Sequence, residues 1–484
     1  MTNKMTVEPG TVKIRMYNTE FGDCFLLGFP TQSGGPKYML IDFGTHHNTA
    51  NKTDKLEKIA RELNAATEGK IHLLVVTHEH TDHIEGFKRA NEIFKQIEVE
   101  NIWMGWTENY DDPEVKKLDK IKRLYIQALD IAIEKLTPVK PTLANTLTNI
   151  LRFDIDENHQ FDALSYGLGY NPATKKPSTN RQTMIWLKHH CRNVNYCSPG
   201  GAPLQCEGID GVKFYVMGPP TLEQEGRLTK SAPSKGSKKE TYLTDQAEDG
   251  LLKFAFDLAG LKGNAATDFS DLAVSSEAPF SDKYRCSNSD HSIQKRYESP
   301  ENEWRGIDDI WLEMAGNLAI KLDSHTNNSS LVLAIELDGN GKILLFPGDA
   351  QVGNWLGWGD LTWKNGETEI TRDDLLKRTV LYKVGHHGSH NATLKKQGLE
   401  KMVDPDLTAL IPVDQHFAEN QNWEIPYPKL LKRLKTKCRK RVLRSDEDLP
   451  VQKPYNVGKT KWNNFLNTIQ KDDDEKYIEI IIEK

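Results

Sequence analysis

The sequence predicts an α/β protein in which buried strands end in loops that carry metal-binding side chains. Near the N-terminus, short apolar runs typical of buried strands alternate with a helical pattern near Lys55–Ala65. The strand-like runs are Val12–Met16, Cys24–Phe29, Tyr38–Ile41 and Leu73–Val76. Two later apolar runs end in the polar motifs Gly348-Asp349 and His386-His387. These observations favour a mixed scaffold with its chemistry at strand ends.

The most specific motif is the segment Thr77–His83, which reads THEHTDH and directly follows the apolar run Leu73–Val76. Imidazole nitrogens and carboxylate oxygens are ligands that Zn²⁺ prefers. The chain has 15 histidines in 484 residues, so their clustering in one loop is not expected by chance. We therefore predict a metal site. Its ligands in this loop are His78, His80, Asp82 and His83.

The motif and the landmarks around it resemble the metallo-β-lactamase superfamily. The resemblance implies an α/β (α+β) fold, the αββα metallo-β-lactamase sandwich, here with two large insertions. Asp42 ends the apolar run Tyr38–Ile41 and is followed by Gly44. In the family, an aspartate at this point orients the metal loop without binding the ions itself.

Two late motifs complete the site that the resemblance implies. Asp349 matches the aspartate that bridges two metal ions through its two oxygens. His386 comes first off the strand-like run before it, so we favour it over His387 as the last ligand of the second metal. Ser389 is a candidate for a hydrogen bond to a phosphate or ester oxygen, and a turn-stabilising role is equally open.

The remaining ligand of the first metal is left open by the sequence. Many members of the superfamily supply a further histidine from the loop before the Gly-Asp strand. In this chain, His325 and Asn328 are the two candidates for that position. If neither binds, the first metal is held by His78, His80 and Asp349 alone.

Other motifs resemble the ComEC-type hydrolase domain, a module of DNA-uptake proteins. They are Gly22-Asp23-Cys24 near the N-terminus, Asn327-Asn328-Ser329-Ser330 before the Gly-Asp strand, His386-His387-Gly388-Ser389, and the late segment Val442–Asp446. The resemblance covers somewhat under half of the chain. It implies a stand-alone relative that hydrolyses phosphodiesters.

The organisation expected from these landmarks has five parts. Residues 1–106 and 326–484 are the two halves of the metallo-β-lactamase fold, and residues 211–220 supply a core strand. Residues 107–210 are a mainly helical insertion that opens with a helix over Asp112–Leu136, where apolar residues recur at helical spacing. Residues 221–325 are a second insertion, Lys/Ser-rich at its start and helical over Ile307–Leu322. We expect both insertions to fold over the metal cleft.

Composition favours a cytoplasmic enzyme. The N-terminus has no apolar signal-peptide core and no run is long enough to span a bilayer, so no membrane partner is expected. The six cysteines are sparse and indicate reduced thiols. A net charge of −6 does not indicate a nucleic-acid-binding surface over the whole protein. The basic segment Lys429–Arg441 either contacts phosphates or is an ordinary solvated helix face.

We therefore expect a dinuclear metal-dependent hydrolase that uses a metal-bound hydroxide, with two divalent ions, Zn²⁺ before Mn²⁺. Asp82 and Asp349 are the catalytic carboxylates, and Asp82 would also accept a proton if the second metal is absent. The expected substrate is a phosphodiester in nucleic acid or a nucleotide. The alternatives are an acyl-ester or lactone-type hydrolase of the same fold, and a metal-binding, non-catalytic subunit of a larger assembly. Stand-alone ComEC-like hydrolases also resemble effectors of bacterial antiviral systems, which implies a protein partner.

Overall fold

The computed structural model describes residues 4–31, 34–138, 140–155, 170–230, 299, 308–337 and 341–484. Helices and several strands occur together, so the predicted α/β class is confirmed. The strands are β1 (Thr11–Tyr17), β2 (Phe25–Phe29), β3 (Lys37–Ile41), β4 (Lys70–Val75), β5 (Glu98–Gly105), β6 (Asn193–Cys197), β7 (Lys213–Gly218), β8 (Val332–Glu336), β9 (Ile343–Phe346), β10 (Thr362–Asn365), β11 (Thr368–Thr371), β12 (Thr379–Lys383), β13 (Thr408–Ile411), β14 (Val442–Arg444), β15 (Ile469–Lys471) and β16 (Tyr477–Glu483). The α-helices span Lys52–Thr67, Thr81–Arg89, Asn91–Phe94, Pro113–Leu136, Pro141–Leu151, Asn180–His190, Asp308–Asn328, Val352–Gly357, Arg372–Lys377, Gln415–Asn420, Pro428–Lys437 and Lys459–Asn467.

Two large sheets position the candidate site. The eight-stranded sheet has the order β15-β16-β1-β2-β3-β4-β5-β6, with β3 to β6 parallel and the strands before them antiparallel. The six-stranded sheet has the order β14-β13-β12-β9-β8-β7, and β9, β12, β13 and β14 are parallel. Parallel neighbours end at the same sheet edge, so the loops after β3 and β4 meet, as do the loops after β9 and β12.

The two sheets share one apolar core. Alternate residues of β4 and β9, such as Leu73 and Leu344, belong to the same buried cluster. The residues between them face the other way: Leu74 packs with the helix Lys52–Thr67, and Leu345 packs with the helix Pro428–Lys437. Both faces of each sheet are therefore covered, which explains why these strands read as continuous apolar runs.

The predicted local elements agree with the structure. The four predicted N-terminal strands match β1 to β4 within a few residues, and the predicted helix Asp112–Leu136 is observed as Pro113–Leu136. The helix predicted over Ile307–Leu322 is observed as Asp308–Asn328 and extends further toward the candidate site. The predicted Lys/Ser-rich loop at 231–239 lies outside the described residues.

The chain comprises two compact units. One contains Met1–Val115, Arg152–Gln246 and Asp323–Lys484, and it holds both large sheets. The other contains Lys116–Leu151 and Ala247–Leu322, and its described part is helical. Across the described ranges, no helix combines the length and apolar character needed to cross a membrane.

The basic segment, which suggested a possible phosphate-binding surface, has a structural role, and three tryptophans pack in the core. In the basic segment, Leu430 and Leu434 are buried in the core beneath the six-stranded sheet, and Arg433 forms an ion pair with Glu400. The tryptophans Trp355, Trp358 and Trp363 are fully buried. The helix therefore has the ordinary amphipathic character that the apolar spacing indicated, and these rings pack in the core.

We predict that Leu344→Ala lowers the free energy of unfolding by about 2–5 kcal/mol, because Leu344 is fully buried between the two sheets and its truncation leaves a cavity. Urea denaturation measures the change. As a control, Val451→Ala should change the free energy by less than about 0.5 kcal/mol, since Val451 is 81% exposed. Equal losses in the two variants would contradict the proposed core.

Candidate metal centre

The loop after β4 and the first turn of the next helix carry the predicted histidine motif. β4 ends at Val75, His80 caps the helix Thr81–Arg89, and Asp82 and His83 lie in its first turn. Gly44 allows the loop after β3 to run against this turn, because a Cβ at Gly44 would lie 2.2 Å from the carbonyl carbon and oxygen of Asp82. The Asp-x-Gly motif thus combines an orienting carboxylate with a close backbone approach.

Asp42 orients the motif, as its sequence position predicted. Its Oδ1 accepts a hydrogen bond from the backbone N of Thr77 at 2.8 Å, and its Oδ2 accepts one from Thr77 Oγ1 at 2.7 Å. The same Oδ2 lies 2.7 Å from Nδ1 of His83. Asp42 is fully buried and adopts a left-handed backbone conformation with φ of 54°. It therefore fixes the His83 ring with Nε2 directed away from Asp42.

The rings of His78 and His80 face each other, and each offers one nitrogen as a candidate metal ligand. Nε2 of His78 lies 3.1 Å from Nδ1 of His80. The other nitrogen of His78, Nδ1, lies 3.0 Å from Thr77 Oγ1 and 3.3 Å from Ser330 Oγ. Because Thr77 Oγ1 already donates to Asp42, it accepts a hydrogen bond from the N–H at Nδ1 of His78, which leaves Nε2 with a lone pair.

A second group of donors lies beside this pair. Asp23, His83, Asp349 and His387 each offer one ligand atom, and these atoms lie within 4.8 Å of one another. His83 Nε2 is 3.2 Å from Asp349 Oδ2, and His387 Nε2 is 2.9 Å from Asp82 Oδ2. The outer nitrogen of His387, Nδ1, lies 2.7 Å from the carbonyl oxygen of Pro412, to which it donates. This group can hold a metal ion, since imidazole and carboxylate donors suit Zn²⁺.

A buried lysine lies among these donors. Lys383, at the end of β12, is 1% exposed, and its Nζ lies 2.5 Å from Asp23 Oδ2 and 3.0 Å from Asp349 Oδ1. Its Nζ also donates to the carbonyl of Gly348 at 2.9 Å. Lys383 therefore occupies one oxygen of Asp349 and leaves Oδ2 directed at His83.

The charges in this centre are strongly coupled. Burial opposes ionisation of Asp349, but Lys383 and His83 hold the pKa of its carboxyl well below the usual range. Burial opposes protonation of His83, but Asp349 and Asp42 raise the pKa of its imidazole well above 6.5. Without a metal ion, His83 is therefore protonated at neutral pH, and a cation bound at Nε2 would replace that proton.

Several buried atoms of the centre lack a hydrogen bond. Among the described residues, His83 Nε2, Asp82 Oδ1 and Asp349 Oδ2 are buried without a hydrogen-bond partner. Buried polar atoms are normally satisfied, and an ion is one of the standard explanations when they are not. The donor set and these unsatisfied atoms both fit a divalent cation.

The structure corrects the choice between the two late histidines. His387, and not the favoured His386, belongs to the four-residue group. His386 and His387 both have left-handed backbones, with φ of 48° and 51°. The backbone N of His386 donates to Asp349 Oδ1 at 3.0 Å, and its ring Nδ1 is buried without a hydrogen-bond partner. The chain turns sharply after β12, and it is the second histidine, His387, that offers a ligand atom to the four-residue group.

The other predicted residues have varied positions. Asn328 does not join the donor groups: its Nδ2 donates to the carbonyls of Leu228 and Lys230, and its Oδ1 accepts from the backbone N of Asn354. These bonds use the polar atoms that would bind metal. His325 lies in the helix Asp308–Asn328, is buried, and is outside the four-residue group.

Ser389 has a local role. Its Oγ donates to Oδ1 of Asn391 at 3.1 Å, and both residues are buried. The turn-stabilising alternative therefore describes the contact that the structure gives this hydroxyl.

Three residues at the centre were not identified from the sequence as site residues. Asp23 lies inside one of the motifs of the family resemblance, Lys383 ends the strand before His386, and Asp154, whose Oδ2 lies 3.5 Å from Nε2 of His80, lies outside every motif. The glycine before Asp23 could have indicated its role from the sequence. A Cβ at Gly22 would lie 2.6 Å from the carbonyl oxygens of Gly44 and Asp82, so the Gly-Asp pair marks a close approach to the histidine loop. No sequence pattern around Asp154 indicates its position.

No protein-family model matches the sequence, and no curated protein matches it significantly. The interpretation of the centre therefore depends on its geometry and on the motifs described above.

We predict that His387→Ala weakens divalent-metal affinity by more than about 100-fold, because it removes a ligand, while loss of a ligand's outer partner typically costs about 10–100-fold. His386→Ala is the matched control, and its effect should be smaller than about 10-fold. Calorimetric titration of the metal-free variants with Zn²⁺ measures both affinities. A larger loss in His386→Ala would restore the sequence-based assignment.

We predict that Lys383→Met lowers the free energy of unfolding of the metal-free protein by about 3–5 kcal/mol, because Asp23 and Asp349 would be left buried without their cation. Urea denaturation in the presence of a chelator measures this change. Lys364→Met, at an exposed position, should stay within about 0.5 kcal/mol of the parent. A loss below about 1 kcal/mol in Lys383→Met would mean that the lysine does not neutralise these carboxylates.

Proposed function

We propose that this chain is a dinuclear metal-dependent hydrolase with the αββα architecture of the metallo-β-lactamase superfamily. One observation carries the proposal: His78, His83 and His387 each turn one ring nitrogen toward the centre while a hydrogen-bond partner engages the other nitrogen, and the outer nitrogen of His80 faces the carboxylate of Asp154 at 3.5 Å. Such outer partners fix tautomers and ring orientations in metal sites. An accidental cluster of histidines would not be expected to have three rings fixed in this way.

The architecture supports the same proposal. Two sheets share a core, helices cover both outer faces, and the donors lie in segments next to strand ends, with Asp82 and His83 in the first turn of the helix that follows β4. The superfamily's sandwich has this layering. The order of the motifs along the chain, from Asp42 through the histidine loop to Asp349 and His387, also matches the resemblance found in the sequence.

Two metal positions follow from the donor geometry. The first metal position is the space faced by His78 Nε2 and His80 Nδ1, and the second is faced by Asp82, His83 and His387. Asp349 lies against the second position through Oδ2, the oxygen that Lys383 leaves available, and its assignment to both positions follows from the family resemblance. Zn²⁺ fits this mixture of imidazoles and carboxylates, and Mn²⁺ is the second choice.

The chain's own residues prepare the centre for hydrolysis. Bound divalent ions polarise a phosphoryl or carbonyl oxygen and lower the pKa of water toward neutrality. Lys383 holds Asp349 in a single orientation through Oδ1, and Asp42 holds His83. If the second position is empty, Asp82 Oδ1, which has no hydrogen-bond partner, is the oxygen available to accept a proton.

The proposed substrate class is a phosphodiester in nucleic acid or a nucleotide. The preference for phosphorus over an acyl carbon rests on the resemblance of the Gly22-Asp23-Cys24 and His386–Ser389 motifs to the ComEC-type hydrolase domain. The geometry of the metal centre supports hydrolysis of either kind of ester. The choice of test substrate therefore decides this part of the proposal.

We predict that the metal-reconstituted protein hydrolyses bis(p-nitrophenyl) phosphate, and that Asp349→Asn lowers the rate by more than about 100-fold, since it removes the charge assigned to both ions. Release of p-nitrophenol measures the rate. The matched control is Asp473→Asn, an exposed aspartate, which should keep the parental rate.

The outcome separates the parts of the proposal. Cleavage of p-nitrophenyl acetate but not of the phosphodiester would keep the metal hydrolase and overturn the substrate class. Equal rates in the parent and in Asp349→Asn would overturn the assignment of the centre itself.

A further inference from the structure

We propose that Asp154 is a positioning residue for the first metal position: its carboxylate holds the ring of His80 so that Nδ1 faces His78. The inference rests on the proposed function, because it concerns how the chain prepares one of the two metal positions. Asp154 lies in the segment assigned to the first insertion, outside every motif that suggested the family resemblance.

The contact of Asp154 with His80 is on the side of the ring away from the centre. Oδ2 of Asp154 lies 3.5 Å from Nε2 of His80, while Nδ1 of His80 lies 3.1 Å from Nε2 of His78. A neutral imidazole has one donor and one acceptor nitrogen. With its proton on Nε2 directed at Asp154, His80 presents the lone pair of Nδ1 to the first metal position.

The same arrangement occurs at the second metal position. There Asp42 engages the outer nitrogen of His83, and the carbonyl of Pro412 engages the outer nitrogen of His387. Asp154 Oδ2 faces the outer nitrogen of His80 at 3.5 Å, a longer contact than the 2.7 Å between Asp42 and His83, so Asp154 corresponds to Asp42 in its position and its charge. Because Asp154 faces Nε2 and not the space between His78 and His80, its geometry is that of an orienting carboxylate and not of a third ligand.

Asp154 is itself held in place. Its side chain is fully buried, and its Oδ1 accepts a hydrogen bond from Thr326 Oγ1 at 2.7 Å. The preceding carbonyl, that of Phe153, accepts hydrogen bonds from Thr81 N at 2.9 Å, Thr81 Oγ1 at 3.0 Å and Asn180 Nδ2 at 3.0 Å. These bonds attach the segment to the residue that directly follows His80, so the carboxylate and the ring keep a fixed relation.

The test measures metal affinity at each position separately. His387→Ala is the background in which the first position is observed, and His78→Ala is the background in which the second is observed. Metal-free proteins are titrated with Zn²⁺ by calorimetry, and with Co²⁺ by visible absorption, which reports the ligand geometry around the ion. Asp154→Ala is then added to each background.

We expect Asp154→Ala to weaken affinity at the first position by about 10–100-fold and to change the Co²⁺ spectrum there, with less than about a twofold effect at the second. Asp154→Asn should lose less, because its amide oxygen still accepts a hydrogen bond, and this near-isosteric variant serves if Asp154→Ala does not fold. Asp42→Asn is the comparison variant and should weaken the second position, because Asp42 holds the ring of His83.

Failure of the role proposed for Asp154 and failure of the proposed function give different results. Unchanged affinity at the first position in both Asp154 variants, or equal losses at both positions, would overturn the role of Asp154 while leaving the metal hydrolase intact. If the parent binds no Zn²⁺ at all, the proposed function fails before the role of Asp154 is reached. A lower melting temperature with unchanged affinities would assign Asp154 a structural role only.

Discussion

The constraint on which this structure depends is the compensation of charge buried at one edge of the two sheets. Asp23, Asp82 and Asp349 are each at most 1% exposed, and the cations among them are Lys383 and protonated imidazoles. An ionised carboxylate is costly to bury unless it is paired or coordinates a metal. Hydrogen bonds from Lys383 compensate only part of the buried negative charge, because Asp349 Oδ2 and Asp82 Oδ1 have no hydrogen-bond partner. A divalent cation is the natural complement of such a centre.

The sheet topology explains how residues far apart in sequence meet at this centre. Because β3 and β4 are parallel neighbours, their carboxyl ends place Asp42 beside the histidine loop, and the parallel pair β9 and β12 does the same for Asp349 and Lys383. The shared core between the sheets then fixes these two edges against each other. The positions of the side chains in the centre therefore depend on the apolar packing between the two sheets.

The parts of the site that could be predicted from sequence are those in which a ligand directly follows a strand. β4 ends at Val75 and His78 follows three residues later, so the strand predicted from the apolar run correctly places this histidine just beyond the strand end. His386 and His387 show the limit of this reasoning, because a left-handed turn after β12 decides which ring points inward, and such a turn is rare for residues other than glycine. Asp154 could not be found in this way, since its relation to His80 is created by tertiary hydrogen bonds and leaves no local pattern.

The attachment of Arg152–Asp154 to the histidine loop has a consequence for the geometry of the candidate metal centre. Thr81 bonds to the carbonyls of Arg152 and Phe153, and Asp154 faces His80, so one short segment contacts both the loop backbone and a ligand ring. The ring of Phe153 also lies 5.6 Å from that of His80 and 4.8 Å from that of His46. A displacement of this segment would therefore change the orientation of the His80 ring and move the Phe153 ring that packs beside it. Since packed interiors transmit such shifts, this segment couples the surroundings of the centre to the arrangement of its candidate ligands.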